Sequence, residues 1–190
     1  MKQEIEILFR LNQSIKEAEG LLMNLRAEQK GSKHTIDEYF YNTKTNQFAP
    51  NTKGELTECL RIRTTKDAVY YTYKDDVFLA DGSWSHSNEY ETKISDAETM
   101  RQALARQYYE PLVTIDSHKT KYQLNDFEFT LEEVKELGTF LEIEHMADSS
   151  EDVSGIKDGI RLLAKNTGFA IDSELTIGKP ELLLRQRGGW

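Results

Sequence analysis

Strand-forming segments in this chain alternate apolar residues with charged residues of both signs, and few folds tolerate that pattern. In Glu4-Ile5-Glu6-Ile7-Leu8-Phe9-Arg10-Leu11, successive side chains of an extended strand point to opposite faces. Ile5, Ile7, Phe9 and Leu11 therefore share one face, and Glu4, Glu6 and Arg10 line the other. The pattern recurs as Leu60 and Ile62 against Arg61 and Arg63, and as Leu141 and Ile143 against Glu142 and Glu144. A half-exposed sheet with a solvated charged face would give the same alternation. Strands converging on a polar interior fit the mixture of signs better than the Thr-, Ser- and Lys-rich wet face of an ordinary sheet. Carboxylates at i and i+2, such as Glu4 and Glu6, are also the oxygen ligands a hard divalent cation needs, and such a cation commonly takes further oxygens from a substrate phosphate.

Eight segments read as strands: Glu4 to Leu11, His34 to Tyr41, Glu58 to Arg63, Ala68 to Lys74, Asn88 to Ile94, Leu112 to Tyr122, Phe127 to Leu131 and Thr139 to Met146. Turn signals at Asp81-Gly82, Leu124-Asn125-Asp126 and Leu137-Gly138 make several of them antiparallel neighbours. Helices are signalled by Ser14 with Glu17, by Ser95 with Glu98, and by Ser149 with Asp152, each at capping spacing before an apolar periodicity. The first is expected to run to Lys30-Gly31-Ser32, the third to close near Gly168, and a short element follows at Glu181 to Leu184. So many antiparallel strands must manage their edges by a sandwich or a closed barrel. The charged faces favour the barrel, giving an α+β fold: a single-domain antiparallel eight-stranded β-barrel with flanking helices over residues 1–190.

Composition allows a polar interior without demanding one. A chain of 190 residues with 38% hydrophobic content can bury a core without staples. The net charge of −9 makes nucleic acid a poor partner. The lone Cys59 excludes an internal disulfide and a cysteine metal cage. With no bilayer-spanning apolar run and no signal-peptide order at the N-terminus, a cytoplasmic protein with no membrane partner is expected, as a monomer or homodimer. No Ser-His-Asp or Cys-His order is readable, so a covalent nucleophile is not expected.

Ordered segments of the chain resemble the CYTH family, the triphosphate tunnel metalloenzymes. Glu4-Ile5-Glu6-Ile7-Leu8 stands where the family has ExExK. Asp37-Glu38-Tyr39-Phe40 looks like its D-x-Y-F strand, and Cys59-Leu60-Arg61-Ile62-Arg63 like its LRIR strand. Tyr70 to Lys74 looks like the strand ending in a phosphate-binding lysine, and Glu89 with Glu91 like the acidic pair that follows. Leu131 to Glu144 is similar to the block L-D-x-V-x-x-L-G-x-F-x-E-I-E.

The resemblance implies a hollow barrel, the triphosphate tunnel, in which glutamates hold Mg²⁺ or Mn²⁺ and Arg or Lys hold phosphate oxygens. On the positions of this chain, Glu4, Glu6, Glu132, Glu142 and Glu144 are the implied metal ligands, with Glu6 and Glu142 catalytic. Glu132 stands where the family has an aspartate, and a ligand role and a surface role are equally open for it, with its neighbour Glu133 on a different face. Arg10, Arg61, Arg63, Lys74, Lys119 and Lys121 are the implied substrate-binding bases, and Glu89 and Glu91 balance them. The implied partner is a small-molecule triphosphate, hydrolysed by a divalent-metal-dependent enzyme. The alternatives are cyclisation of ATP, as in class IV adenylyl cyclases, or non-catalytic polyphosphate binding. Four positions depart from the family pattern. Leu8 replaces the signature lysine, leaving one cationic phosphate contact missing unless a base such as Arg10 supplies it. Ser117 stands where a basic residue is common. Gly178-Lys179-Pro180-Glu181-Leu182-Leu183 lacks the tail's tyrosine, and the His-Phe dipeptide of the cyclases is absent.

Overall fold

Among the described residues nine strands form, one more than the sequence signals: β1 (Lys2–Leu11), β2 (Glu28–Asn42), β3 (Glu58–Thr65), β4 (Val69–Phe78), β5 (Trp84–Ile94), β6 (Tyr109–Leu124), β7 (Phe127–Val134), β8 (Gly138–Asp148) and β9 (Ile171–Leu175). Helices α1 (Ile15–Asn24), α2 (Ala97–Arg106), α3 (Val153–Thr167) and α4 (Lys179–Gln186) connect or follow them. These elements come from a computed structural model that describes residues 2–78, 84–148 and 151–189. The Asp81-Gly82 turn and the Ser149 cap lie outside the described residues.

Every strand pairing is antiparallel, in the order β5-β4-β3-β2-β6-β7-β8-β1-β9. The α+β class and the antiparallel sheet agree with the sequence. The closed eight-stranded barrel becomes a rolled nine-stranded sheet, with β5 and β9 at its edges. The roll is nevertheless nearly complete. Lys74 on β4 approaches Glu6 on β1 to 3.6 Å, although five strands separate β4 from β1 in the hydrogen-bonded order. In a flat sheet six strand spacings would hold them about 29 Å apart.

Apolar strand faces point outward and are covered by helices. Ile5, Ile7, Phe9 and Leu11 of β1 join Phe129, Leu141 and Ile143, with Ala18 and Leu22 of α1 and Ile160 and Ala164 of α3 packed into the same buried cluster. A second outer cluster places Leu104 of α2 and Phe48 of the loop before β3 with Phe40, Leu60 and Ile62. The fourth helix behaves differently. Leu183 and Leu184 of α4 pack against Tyr39, Val113, Ile115, Val134 and Phe140, which share their strand faces with Asp37, Ser117, Glu132 and Glu142 on the concave side. One end of the hollow is thus an apolar seat for α4, and the charged positions lie beyond it.

Helix ends follow local chemistry. Ser14 and Glu17 form the expected capping box, but α1 stops at Asn24, and Lys30 to Ser32 belong to β2. Gly31 sits there at φ 146° beside a register shift, a conformation that favours glycine. Asp96, not Ser95, caps α2, because its carboxylate accepts from both Glu98 N and Thr99 N. Asp152 caps α3, and Gly168 closes it in the left-handed region at φ 83°.

A Cβ added at Gly168 would meet nothing within 4 Å, so Gly168→Ala isolates the backbone strain. Chemical denaturation is expected to show a loss of about 1 to 2 kcal/mol, with strand content unchanged.

Candidate functional site

Register brings the charged faces together. Glu6 is the direct cross-strand partner of Glu144, and Leu8 of Glu142. Like charges opposite each other destabilise a ladder, yet a third carboxylate joins them. Oxygens from Glu4, Glu6 and Glu144 all lie within 4.8 Å of one another. Burial raises the Glu144 carboxyl to about 9, reinforced by Glu142 and Glu4. Burial also raises Glu6 to about 7; Lys74 opposes this rise, and Glu142 and Glu4 add to it. Glu4 is raised too, chiefly by burial. Three half-buried carboxylates that resist ionising together are a hard-oxygen set suited to a divalent cation.

Around this cluster the bases divide into two groups. Arg63 grips Asp37 bidentately, Nε to Oδ1 and Nη2 to Oδ2 both at 2.7 Å. Burial would lift Asp37, but the guanidinium outweighs it and holds the carboxyl at about 2. Arg61 bonds Glu89 at 3.1 Å and lies 3.5 Å from Glu91, while its buried Nε has no hydrogen-bond partner. Lys74 stands between Glu6 at 3.6 Å and Glu89 at 3.9 Å; burial disfavours its charge, but the surrounding glutamates keep its pKa above the ordinary lysine value.

The second group is a tetrad. Lys179 at the start of α4 donates to Glu132 and, at 3.1 Å, to Glu142, and Lys119 lies 3.3 Å from Glu132. Glu132 is only 1% exposed. Burial pushes Glu142 up, yet Lys179 and Lys119 outweigh it and hold this carboxyl well below the usual range.

A cavity of about 720 Å³ opens onto Glu6, Arg61, Arg63, Lys74, Glu142 and Lys179, within the size range of small-molecule sites. Lys121 pairs with Glu128 on the same inner face, and Lys33 stands nearby. Burial lowers the Lys33 pKa, as do the fields of Arg63, Lys121 and Lys119.

The structure therefore gathers Glu4, Glu6 and Glu144 into one carboxylate set and places Arg61, Arg63 and Lys74 close by. Glu142 borders that set but is occupied by an ammonium. Glu132 faces inward, as the register places it rather than the exposed Glu133, and carries two ammonium neighbours. Arg10 is not brought to the charged cluster. Its Nη1 donates to the Leu137 carbonyl at 2.7 Å, and its guanidinium lies over Phe140 at 4.9 Å. Two interior residues had no role assigned from sequence. Asp37 shares the parity of Tyr39 and could have been found from that alternation. Lys179 follows the last strand, where no strand periodicity reaches it.

Residues 2–176 match the CYTH domain, and the chain belongs to this family. Members of the family are adenylate cyclases or triphosphatases that generally depend on a divalent metal. A Methanocaldococcus jannaschii protein named as a candidate adenylate cyclase is 33% identical over 90 residues, 47% of this chain and 50% of the relative. The match thus spans half the length of that curated relative. The fold is similar to the PH1819 protein of Pyrococcus horikoshii, with a TM-score of 0.79 at 21% identity, covering 97% of this chain and 99% of that one. A Hippeastrum candidate adenylyl cyclase, described as having a dominant triphosphatase activity, superposes with a TM-score of 0.62 at 18% identity, covering 98% and 97% of the two chains. Among the described residues no helix is long and apolar enough to cross a membrane.

Glu6 and Glu144 have raised pKa values in the folded state. The stability linked to their protonation is full below their unfolded pKa of 4.5 and is lost as pH rises through about 7 and about 9. The metal-free melting temperature is expected to fall from about pH 5 to about pH 9, and Mn²⁺ to raise it most at the alkaline end. Glu144→Gln should flatten the metal-free profile and remove the Mn²⁺ response. A full Mn²⁺ response in that variant would place the cation elsewhere.

Proposed function

We propose that this chain is a divalent-metal-dependent hydrolase of a small triphosphate: inorganic triphosphate, thiamine triphosphate or a nucleoside triphosphate. The observation that carries the reading is the meeting, in the lining of one cavity, of Glu6, one of three adjacent carboxylates that resist ionising together, with Arg61, Arg63 and Lys74. Neither set makes sense as a dry core, since uncompensated interior charge costs several kcal/mol per ion. A cation and a polyphosphate placed between them satisfy both.

Glu4, Glu6 and Glu144 would hold Mg²⁺ or Mn²⁺, which when bound supplies charge neutralisation for the phosphate oxygens. Arg61, Arg63 and Lys74 hold the phosphate chain, with the guanidinium forks matching pairs of oxygens. Phosphoryl transfer is catalysed chiefly by positioning and charge, which is what this wall provides. Glu142 is held too acidic to take a proton from water, so its part is to accept a hydrogen bond from the attacking water and orient it. That water forms a new P–O bond, the bridging P–O bond breaks with its electron pair passing to the leaving phosphate or diphosphate, and the proton shed by the water is taken up by a phosphate oxygen of the products. Asp37 keeps Arg63 extended across the floor of the site and acts through it.

A second reading is cyclisation of ATP, supported by the name of the Methanocaldococcus jannaschii relative. The absence of the His-Phe dipeptide favours hydrolysis.

Incubation with inorganic triphosphate, thiamine triphosphate and ATP in Mg²⁺ or Mn²⁺ is expected to release orthophosphate. Cyclic AMP with pyrophosphate would establish the cyclase reading instead. Arg61→Ala and Lys74→Ala should each lower kcat/KM roughly fivefold to 150-fold, about 1 to 3 kcal/mol, the scale of a charge-assisted hydrogen bond. Wild-type kinetics in both variants would remove these residues from the substrate site.

A further inference from the structure

Rolling leaves the sheet with an edge at β5, which is hydrogen-bonded to β4 alone. A bare edge is a template for a further strand unless something covers it. The first half of β5 is covered. Ser85 is 3% exposed, and Lys157 of α3 lies over the Trp84 ring at 4.1 Å and donates to the Trp84 carbonyl at 2.7 Å. The second half is open: Glu89 to Lys93 are all exposed, and their pairing with β4 runs without a register shift. Glu89 and Glu91 reach Arg61 on the concave side. By parity Lys93 shares that side, while Tyr90, Thr92 and Ile94 face outward.

This open half is complementary to itself. Tyr90 is 63% exposed and ends a row of aromatic rings, Tyr109, Phe48, Tyr73 and Tyr90, whose centroids are 5.9 to 6.0 Å apart. Tyrosine is favoured at protein interfaces. No ion pair reaches Lys93 among the described residues. A two-fold axis perpendicular to the sheet pairs two copies of the strand antiparallel with their concave sides together, so one residue must meet its own copy. With Thr92 on the axis, Glu91 stands opposite Lys93 of the partner subunit, and Tyr90 opposite Ile94 of the partner subunit. Symmetry makes each pairing twice. An axis at Glu91 or at Lys93 would set like charges face to face, which destabilises a ladder. An edge lysine ordinarily keeps strands apart, but here the register that avoids repulsion gives it a carboxylate.

We propose that the second half of β5 is an interface for a second copy of this chain, which pairs with it as an antiparallel β5–β5 ladder centred on Thr92. Backbone hydrogen bonds along the open edge supply the attachment, and the Glu91–Lys93 and Tyr90–Ile94 pairs fix the register. A contact of this extent is smaller than a permanent interface, so the dimer forms with rising concentration. It joins two sheets into one and holds in place the strand whose Glu89 and Glu91 engage Arg61. The inference is independent of the triphosphate reading above.

Sedimentation equilibrium of the full chain, from micromolar to near-millimolar concentration, is expected to show a mass rising from that of one chain toward that of two. Lys93→Glu sets a carboxylate opposite Glu91 of the partner subunit and is expected to weaken self-association about tenfold or more. Thr92→Cys places two thiols on the axis, where directly opposed Cα atoms about 4.5 to 5.5 Å apart suit a disulfide. With diamide taking up the two thiol hydrogens, this variant is expected to form a covalent dimer. Ser95→Cys, three residues from the axis, and the wild-type chain with Cys59 alone are expected to remain uncrosslinked. Thr92, Lys93 and Ser95 are exposed, so the fold does not depend on these side chains. A wild-type protein that stays monomeric at every concentration would overturn the proposal. Self-association unchanged in Lys93→Glu, or a disulfide that forms as fast in Ser95→Cys as in Thr92→Cys, would overturn it too, because either result puts the contact elsewhere.

Discussion

Two carboxylates facing each other across a ladder, Glu6 and Glu144, with Glu4 drawn into the same few ångströms, set the terms for the rest of this structure. An arrangement of that kind costs free energy in the apo protein. It persists only because the remainder of the fold holds it in place. The outer face of β1 does so through Ile5, Ile7, Phe9 and Leu11, which are 0 to 5% exposed beneath α1 and α3. The same strand is therefore stabilised on one side by apolar burial and strained on the other by charge. The alternation in its sequence is the record of that division.

The rolled sheet turns this local cost into a site. A flat sheet would spread Asp37, Arg61, Arg63, Lys74 and the glutamates over a wide solvated surface, where each pair would contribute little. Rolling brings β4 against β1, so that Lys74 bridges Glu6 and Glu89, and reduced solvent strengthens every interaction. The acids and bases are not mixed at random. Arg63 on β3 and Asp37 on β2 form a fixed bidentate pair, whereas Lys74 is shared between Glu6 and Glu89 and the buried Arg61 Nε lacks an acceptor among the described residues.

Much of this was legible in the sequence, because period-two alternation is set by backbone geometry and survives into three dimensions. The inward positions of β1, β3, β4 and β8 follow from it directly. Glu132 rather than Glu133 follows only once β7 is in register with β6, since two adjacent glutamates give no parity by themselves. The strand β9 was not legible. Ile171-Asp172-Ser173-Glu174-Leu175 is short and polar at its centre, and it becomes a strand because β1 offers an open edge beside Leu8 and Phe9. Asp96 displaces Ser95 as the cap because its carboxylate reaches two backbone N–H groups at once.

Lys179 shows most sharply where reading along the chain stops. The charge balance of a cavity depends on where a cation stands in space, whichever strand or helix brings it there. Strand parity can register a missing cation at position 8 because Leu8 sits in an alternating series. It cannot register a cation arriving from the first turn of α4, since that depends on Leu183 and Leu184 seating the helix on Tyr39, Val113 and Phe140. Apolar packing at one end of the hollow thus fixes an electrostatic feature deeper inside it. Substitutions in that seat would be felt as changes in the charge balance around Glu132 and Glu142 as much as in the stability of the helix.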